Sequence, residues 1–188
     1  MAMPATHIDW TVKMLDALED DGRRYEIIDG ELFVTPAPID LHGLVVGELF
    51  VRLHAYLKRN GCGRAMGSPS DVRRGDRTRN RVQPDVFVMR LTDGQRPPYP
   101  YEQRDLLFAV EVTSPRSMRL DYEIKRDMYL HEGIGEYWVM NHKKRNVSRW
   151  RTLGDTEEVL TERVEWHMDG ASEPFVLDLV QFYDEALR

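Results

Sequence analysis

Asp85 and Glu111 each stand in an apolar stretch that should lie inside a sheet. Asp85 opens the run Val86 to Met89 in "VQPDVFVM", just after Pro84, which cannot donate to a strand ladder and so belongs at a strand start. Glu111 lies in "LLFAVEVTS" among Phe108, Ala109, Val110 and Val112. A carboxylate leaving water is costly unless it gains a cation, a donor or a proton, and glutamates are rarely fully buried alone. If the two strands are neighbours, the acids converge and repel in a low-dielectric site. Mg²⁺ would relieve that repulsion, because it takes hard oxygen ligands and keeps several waters. Mn²⁺ is the expected substitute, and the Val112 carbonyl would add a ligand. Singly, Asp85 also reads as a strand-end cap and Glu111 as a solvated edge residue. Together, on two strongly apolar strands, they read as one site.

Two further residues carry alternatives. Glu31 follows the Asp29-Gly30 pair and by itself reads as a solvated hairpin residue. Lys125 shares a helix face with Asp121, Tyr129 and Glu132. It is either half of a surface ion pair with Asp121 or a cation leaning over the sheet to position a water.

The elements that must hold these residues follow from periodicity. "DWTVKMLDALED" (Asp9 to Asp20) predicts a short helix capped by Asp9 or Thr11. "YEIIDGELFVT" predicts a hairpin, since Asp-Gly suits a type I′ turn; the prolines at 36 and 38 then break the strand. Leu41, Leu44, Val45, Leu49, Leu53, Tyr56 and Leu57 fall at spacings of three and four, so Asp40 to Asn60 predicts a long helix stopped by Gly61 and Gly63. Ser68 to Arg81 is a polar excursion, and Arg90 to Asp105 reads as a proline-rich surface loop. Leu106 to Ser114 predicts a central strand. Leu120 to Gly133 predicts a helix capped by Asp121. "EYWVMN" and "NVSRWR" predict a hairpin tipped by "HKKR", with further strands and a final helix near Leu179 to Leu187. Helices interleaved with strands and hairpins make an α/β domain with a mixed sheet.

Bulk composition narrows the class. With 188 residues, 41% hydrophobic and 31% charged, the chain suits one soluble domain over residues 1–188. No apolar run approaches the roughly 20 residues of a membrane helix, and the first residues do not resemble a secretion signal. Cys62 is the single cysteine, so no internal disulfide or cysteine metal cluster is available and a reducing cytoplasm is the expected compartment. A formal net charge of -6 argues against a dedicated DNA-coating protein but leaves room for an enzyme with a local basic patch.

In order along the chain, "YEIIDGE", "QPDVFV", "VEVTSP", the Asp121, Lys125 and Tyr129 series, and "GIGEYWV" resemble a large bacterial family of restriction-endonuclease-like proteins within the PD-(D/E)XK nuclease superfamily. The similarity covers a core from about Tyr25 to Arg151. The resemblance implies a restriction-endonuclease-like fold, a mixed central β-sheet flanked by helices. It gives Asp85 the role of the PD aspartate and Glu111 that of the next strand's acid, and it adds Glu31 as a third acid completing the metal site. The simplest superfamily signature places a lysine two residues after the second acid, where this chain has Thr113. Lys125 matches a lysine shifted to the following helix, and Tyr129 the tyrosine one turn on. His42, at the start of the long helix, falls where relatives often carry a histidine; its ordinary reading is capping or packing.

The reaction this implies is Mg²⁺-assisted phosphodiester hydrolysis in DNA, with RNA as a further substrate class. A catalytically silent nucleic-acid-binding or regulatory protein on the same fold is the competing reading. Arg73, Arg74, Arg77, Arg79 and Arg81, in "RRGDRTRNR", would grip the phosphate backbone unless they form an ordinary solvated loop. "HKKR" reads as an ordinary hairpin tip. By analogy with enzymes that cut both strands, a homodimer is expected; no membrane partner or organic cofactor is.

Overall fold

The computed structural model describes residues 8–35, 40–61 and 63–188. Cys62 and the proline break at residues 36–38 lie outside the described residues. The chain begins with α1 (Val12–Asp16), whose first turn is capped by the Thr11 hydroxyl accepting from the Met14 amide at 3.3 Å. It is shorter than expected, and Asp9 turns to Arg79 instead of capping. β1 (Arg24–Ile28) and β2 (Glu31–Thr35) form the predicted hairpin. Both turn residues, Asp29 and Gly30, have positive φ, as a type I′ turn requires. α2 spans Asp40–Asn60 and ends at Gly61 in the left-handed region. Its buried stripe is Val45, Leu49, Leu53, Tyr56 and Leu57, whereas Leu41 and Leu44 are exposed.

The polar excursion holds more strand than its composition suggests. β3 (Arg64–Gly67), β4 (Val72–Arg73) and β5 (Arg81–Val82) precede β6 (Val86–Met89). β7 (Tyr101–Glu102) and a short 3₁₀ turn interrupt the proline-rich loop before β8 (Leu106–Val112). Leu120–Lys125 is a π-helical turn running into α3 (Arg126–His131). β9 (Glu136–Asn141) and β10 (Asn146–Trp150) are the second predicted hairpin, followed by β11 (Glu158–Leu160), β12 (Arg163–Trp166), β13 (Phe175–Asp178) and α4 (Leu179–Ala186).

The central sheet has six strands in the order β11-β10-β9-β8-β6-β3. β8 and β9 run parallel, and the other pairs are antiparallel. Alternation sorts its side chains into two cores. Val86, Val88, Phe108 and Val110 face α2, α4 and the β12-β13 hairpin. Phe87, Met89, Ala109 and Val139 face α3 and a second sheet, ordered β2-β1-β5-β4-β7. β8 is apolar on both faces for this reason. No helix among the described residues is long and apolar enough to cross a membrane.

This register decides where the acids go. Val86 pairs with Val110 and Phe87 with Ala109; one step further along the same ladder, Asp85 stands abreast of Glu111. Asp85 shares its face with Phe87, and Glu111 shares its face with Ala109, so both point toward α3 and the small sheet. β3 closes the edge beside them. There a Cβ on Gly67 would come 2.9 Å from the Asp85 carbonyl oxygen. Gly67→Ala should therefore destabilise the fold by about 1–3 kcal/mol through overpacking against backbone, read as a lower urea midpoint.

Candidate active site

Asp85 is buried and fully engaged. Arg24 donates to Oδ1 at 2.7 Å, His42 Nε2 lies 3.0 Å from Oδ2, and the Val112 amide donates to Oδ2 at 2.9 Å. Burial would push this carboxyl up. The His42 hydrogen bond and the charges of Arg24, His42 and Lys125 outweigh burial and hold it well below the usual carboxylate range.

Lys125 is the centre of the cluster. Its Nζ lies 3.0 Å from Glu111 Oε1 and 2.8 Å from Glu26 Oε1, with all three side chains almost wholly buried. Burial alone would drive the ammonium neutral. The charges of Glu111, Glu26, Asp121 and Asp85 reverse that and keep it protonated. Burial pushes Glu111 well up; Lys125 pulls it back, while Asp85, Asp121 and Glu26 add to the rise. Asp121 is buried beside them and is raised to about 6, chiefly by burial and against the pull of Lys125.

Leu120–Lys125 is a π-helical turn, the kind that recurs at functional sites, and its residues Asp121 and Lys125, four apart and so on one face, are both buried. Asp121 is thus not the helix cap its position suggests. Its amide donates to the Ser117 carbonyl at 2.8 Å, and its own carbonyl accepts from the Tyr137 hydroxyl at 2.9 Å. Tyr129 lies one turn beyond Lys125, fully buried, with a hydroxyl that finds no hydrogen-bond partner. Burial and the surrounding carboxylates raise it well above the usual phenol range.

The structure therefore brings Asp85, Glu111, Val112, Lys125, Tyr129 and His42 together. Glu31 is not among them. It is exposed at the start of β2, and the third acid of the cluster is Glu26 on β1. Glu26 also accepts from the Gln83 amide at 2.8 Å, just ahead of Asp85. Arg24 and Glu26 are the residues that sequence reasoning misses. Their signal was available, because they alternate on one face of "RYEII", a charged pair set in an apolar strand as Glu111 is.

The arginine loop also departs from expectation. Arg74 pairs with Asp29 at 2.7 Å, Arg79 with Asp9 at 2.7 Å and Arg81 with Asp16 at 2.5 Å, while Arg77 pairs with Glu102. Arg73 forms no ion pair among the described residues, and its Nε is buried without a partner. Four of the five arginines named as a phosphate grip thus meet carboxylates of this chain. They tie the loop to the segment around α1, to the β1-β2 turn and to β7.

A family profile described as "Putative restriction endonuclease", Uma2, matches residues 12–176. The chain belongs to the Uma2 family. Among solved structures, it is similar to a protein from Anabaena variabilis described as a putative nuclease, with a TM-score of 0.74, 19% identity and coverage of 94% of this chain and 98% of that one. This likeness shows that the Uma2 chain has the restriction-endonuclease-like fold, a mixed sheet flanked by helices. No curated protein matches it.

Asp121 in this Uma2 protein makes a pH prediction. Its folded carboxyl is raised from 3.8 to about 6. The stabilisation that comes from holding its proton is complete below the lower value and is lost as pH rises through the upper one. Wild type should lose roughly 3 kcal/mol across that window through this group, and Asp121→Asn should flatten the fall. Urea unfolding from about pH 4 to pH 7 measures both profiles.

Proposed function

We propose that the protein is a Mg²⁺-dependent endonuclease that hydrolyses phosphodiester bonds in DNA, with Mn²⁺ able to substitute. One observation carries this reading: a lysine is buried between two glutamates, one of which stands abreast of Asp85 at a sheet end. A structural core has little use for so much charge, whereas phosphoryl chemistry needs it.

The donors suit such an ion. Asp85 and Glu111 are hard oxygen ligands that stand abreast on neighbouring strands. The described residues contain no ready group of three His, Cys, Asp or Glu ligands. Asp85, Glu111 and the Val112 carbonyl would therefore supply the protein's share, with water completing the shell as Mg²⁺ prefers. When bound, the ion acidifies a water and offsets phosphate charge. Lys125, held charged by Glu26 and Glu111, would orient the attacking water and stabilise the negative charge that develops on the phosphate. Arg24 and His42 keep Asp85 ionised and pointed inward. A homodimer would pair two such sites for double-strand cleavage, and RNA is the alternative substrate.

A second reading has its own support. Arg24, His42 and Val112 already occupy both oxygens of Asp85, as suits a catalytically silent nucleic-acid-binding or regulatory protein.

Two measurements separate the readings. In calorimetry, Mn²⁺ should bind the wild type, and Asp85→Ala should abolish the heat; equal heats would end the metal assignment. Supercoiled plasmid with Mn²⁺ should be nicked by wild type and at least about a hundredfold more slowly by Lys125→Met. Equal nicking by the two proteins would remove Lys125 from the mechanism.

A further inference from the structure

The arginine loop spends its charge internally, so the cations that remain free matter more. Among the described residues, Arg116, Lys143 and Lys144 are exposed, form no ion pair and lie at one end of the central sheet, whereas other exposed cations without an ion pair, such as Lys13, Lys58, Arg59, Arg64 and Arg90, lie elsewhere. Arg116 lies in the crossover that leaves β8, and the lysines lie in the turn that leaves β9. Because β8 and β9 are parallel, with Val112 opposite Met140, both segments emerge side by side at one end of the sheet. The Thr113 amide donating to the Met140 carbonyl at 2.9 Å extends that pairing to the exit point. This is the end that holds Asp85 and Glu111, and carboxyl ends of parallel strands are where α/β sheets bind ligands.

The turn itself is rigid. Asn141 Oδ1 accepts from the amides of both Lys143 and Lys144 at 3.1 Å, which fixes their backbone. His142 is buried beside them, its Nδ1 unpartnered. Burial, followed by the charges of His42 and Lys143, lowers it below the ordinary imidazole value. In a chain of net charge -6, Lys143, Lys144 and Arg116 are unpaired positive charge at the sheet end that holds the acids.

We propose that Lys143, Lys144 and Arg116 form the contact surface for the phosphate backbone of double-stranded DNA, and that the arginine loop does not. The inference rests on the endonuclease reading for its ligand, and binding without metal tests it separately. Anisotropy of a fluorescein-labelled 20-base-pair duplex, titrated in EDTA at several salt concentrations, reads the number of phosphate contacts. Wild type should bind with a steep salt dependence. The R116Q/K143Q/K144Q variant should bind at least about tenfold more weakly, with a log–log slope shallower by roughly 2.7, about 0.9 per cation. R77Q should match wild type. An unchanged slope in the triple variant, an equal loss in R77Q, a wild type that binds no duplex, or preference for single-stranded RNA of the same length would each overturn the proposal. A wild type that binds as expected yet nicks no plasmid would instead defeat the endonuclease reading and leave this surface standing.

Discussion

The buried ammonium of Lys125 is the contact on which the rest of the site depends. It sits 2.8 Å from Glu26 and 3.0 Å from Glu111, with Asp121 buried nearby. Remove that charge and the carboxylates around it face one another in a low-dielectric interior, where an unpaired ion costs about 3–5 kcal/mol. Its partners come from different parts of the fold: Glu26 from the small sheet, Glu111 from the central one. The ion cluster thus joins the two sheets at the point where the proposed chemistry lies, and Lys125 reaches it from the π-helical turn.

Charge in this protein is divided between two jobs. On the small sheet, Arg74, Arg79 and Arg81 are matched by Asp29, Asp9 and Asp16 near the N-terminus, and Arg77 by Glu102 on β7. Such surface pairs are individually weak, but several of them span segments far apart in the chain. At the sheet end the balance reverses. Carboxylates are concentrated inside, and unpaired cations stand outside on the two exits from β8 and β9. In the proposed reading, that separation of sign would let an acidic site meet a polyanionic substrate.

Asp85 is held from three sides. Arg24, His42 and the Val112 amide hold it ionised and immobile. Val112 is also the last residue of β8, so the strand that carries Glu111 anchors Asp85 through its backbone. The two acids are fixed relative to each other by ladder register and by a hydrogen bond, not by flexible side chains alone.

Much of this was legible in the sequence, for a local reason. The α2 helix, both hairpins, the apolar strands and the unusual acids Asp85 and Glu111 announce themselves through period, turn chemistry and a charge in the wrong company. Lys125 was visible as a residue with two readings. The tertiary structure alone places it inside, against Glu26 and Glu111, because a helix face does not say whether it looks at water or at a sheet. It also replaced Glu31 with Glu26. Both lie on one hairpin, and only packing of β1 against the centre turns one acid inward and leaves the other in solvent. The arginine loop shows the same limit. A run of like charge shows what can bind an anion, but its carboxylate partners lie as many as 70 residues away, and long-range pairing is not written in any local pattern.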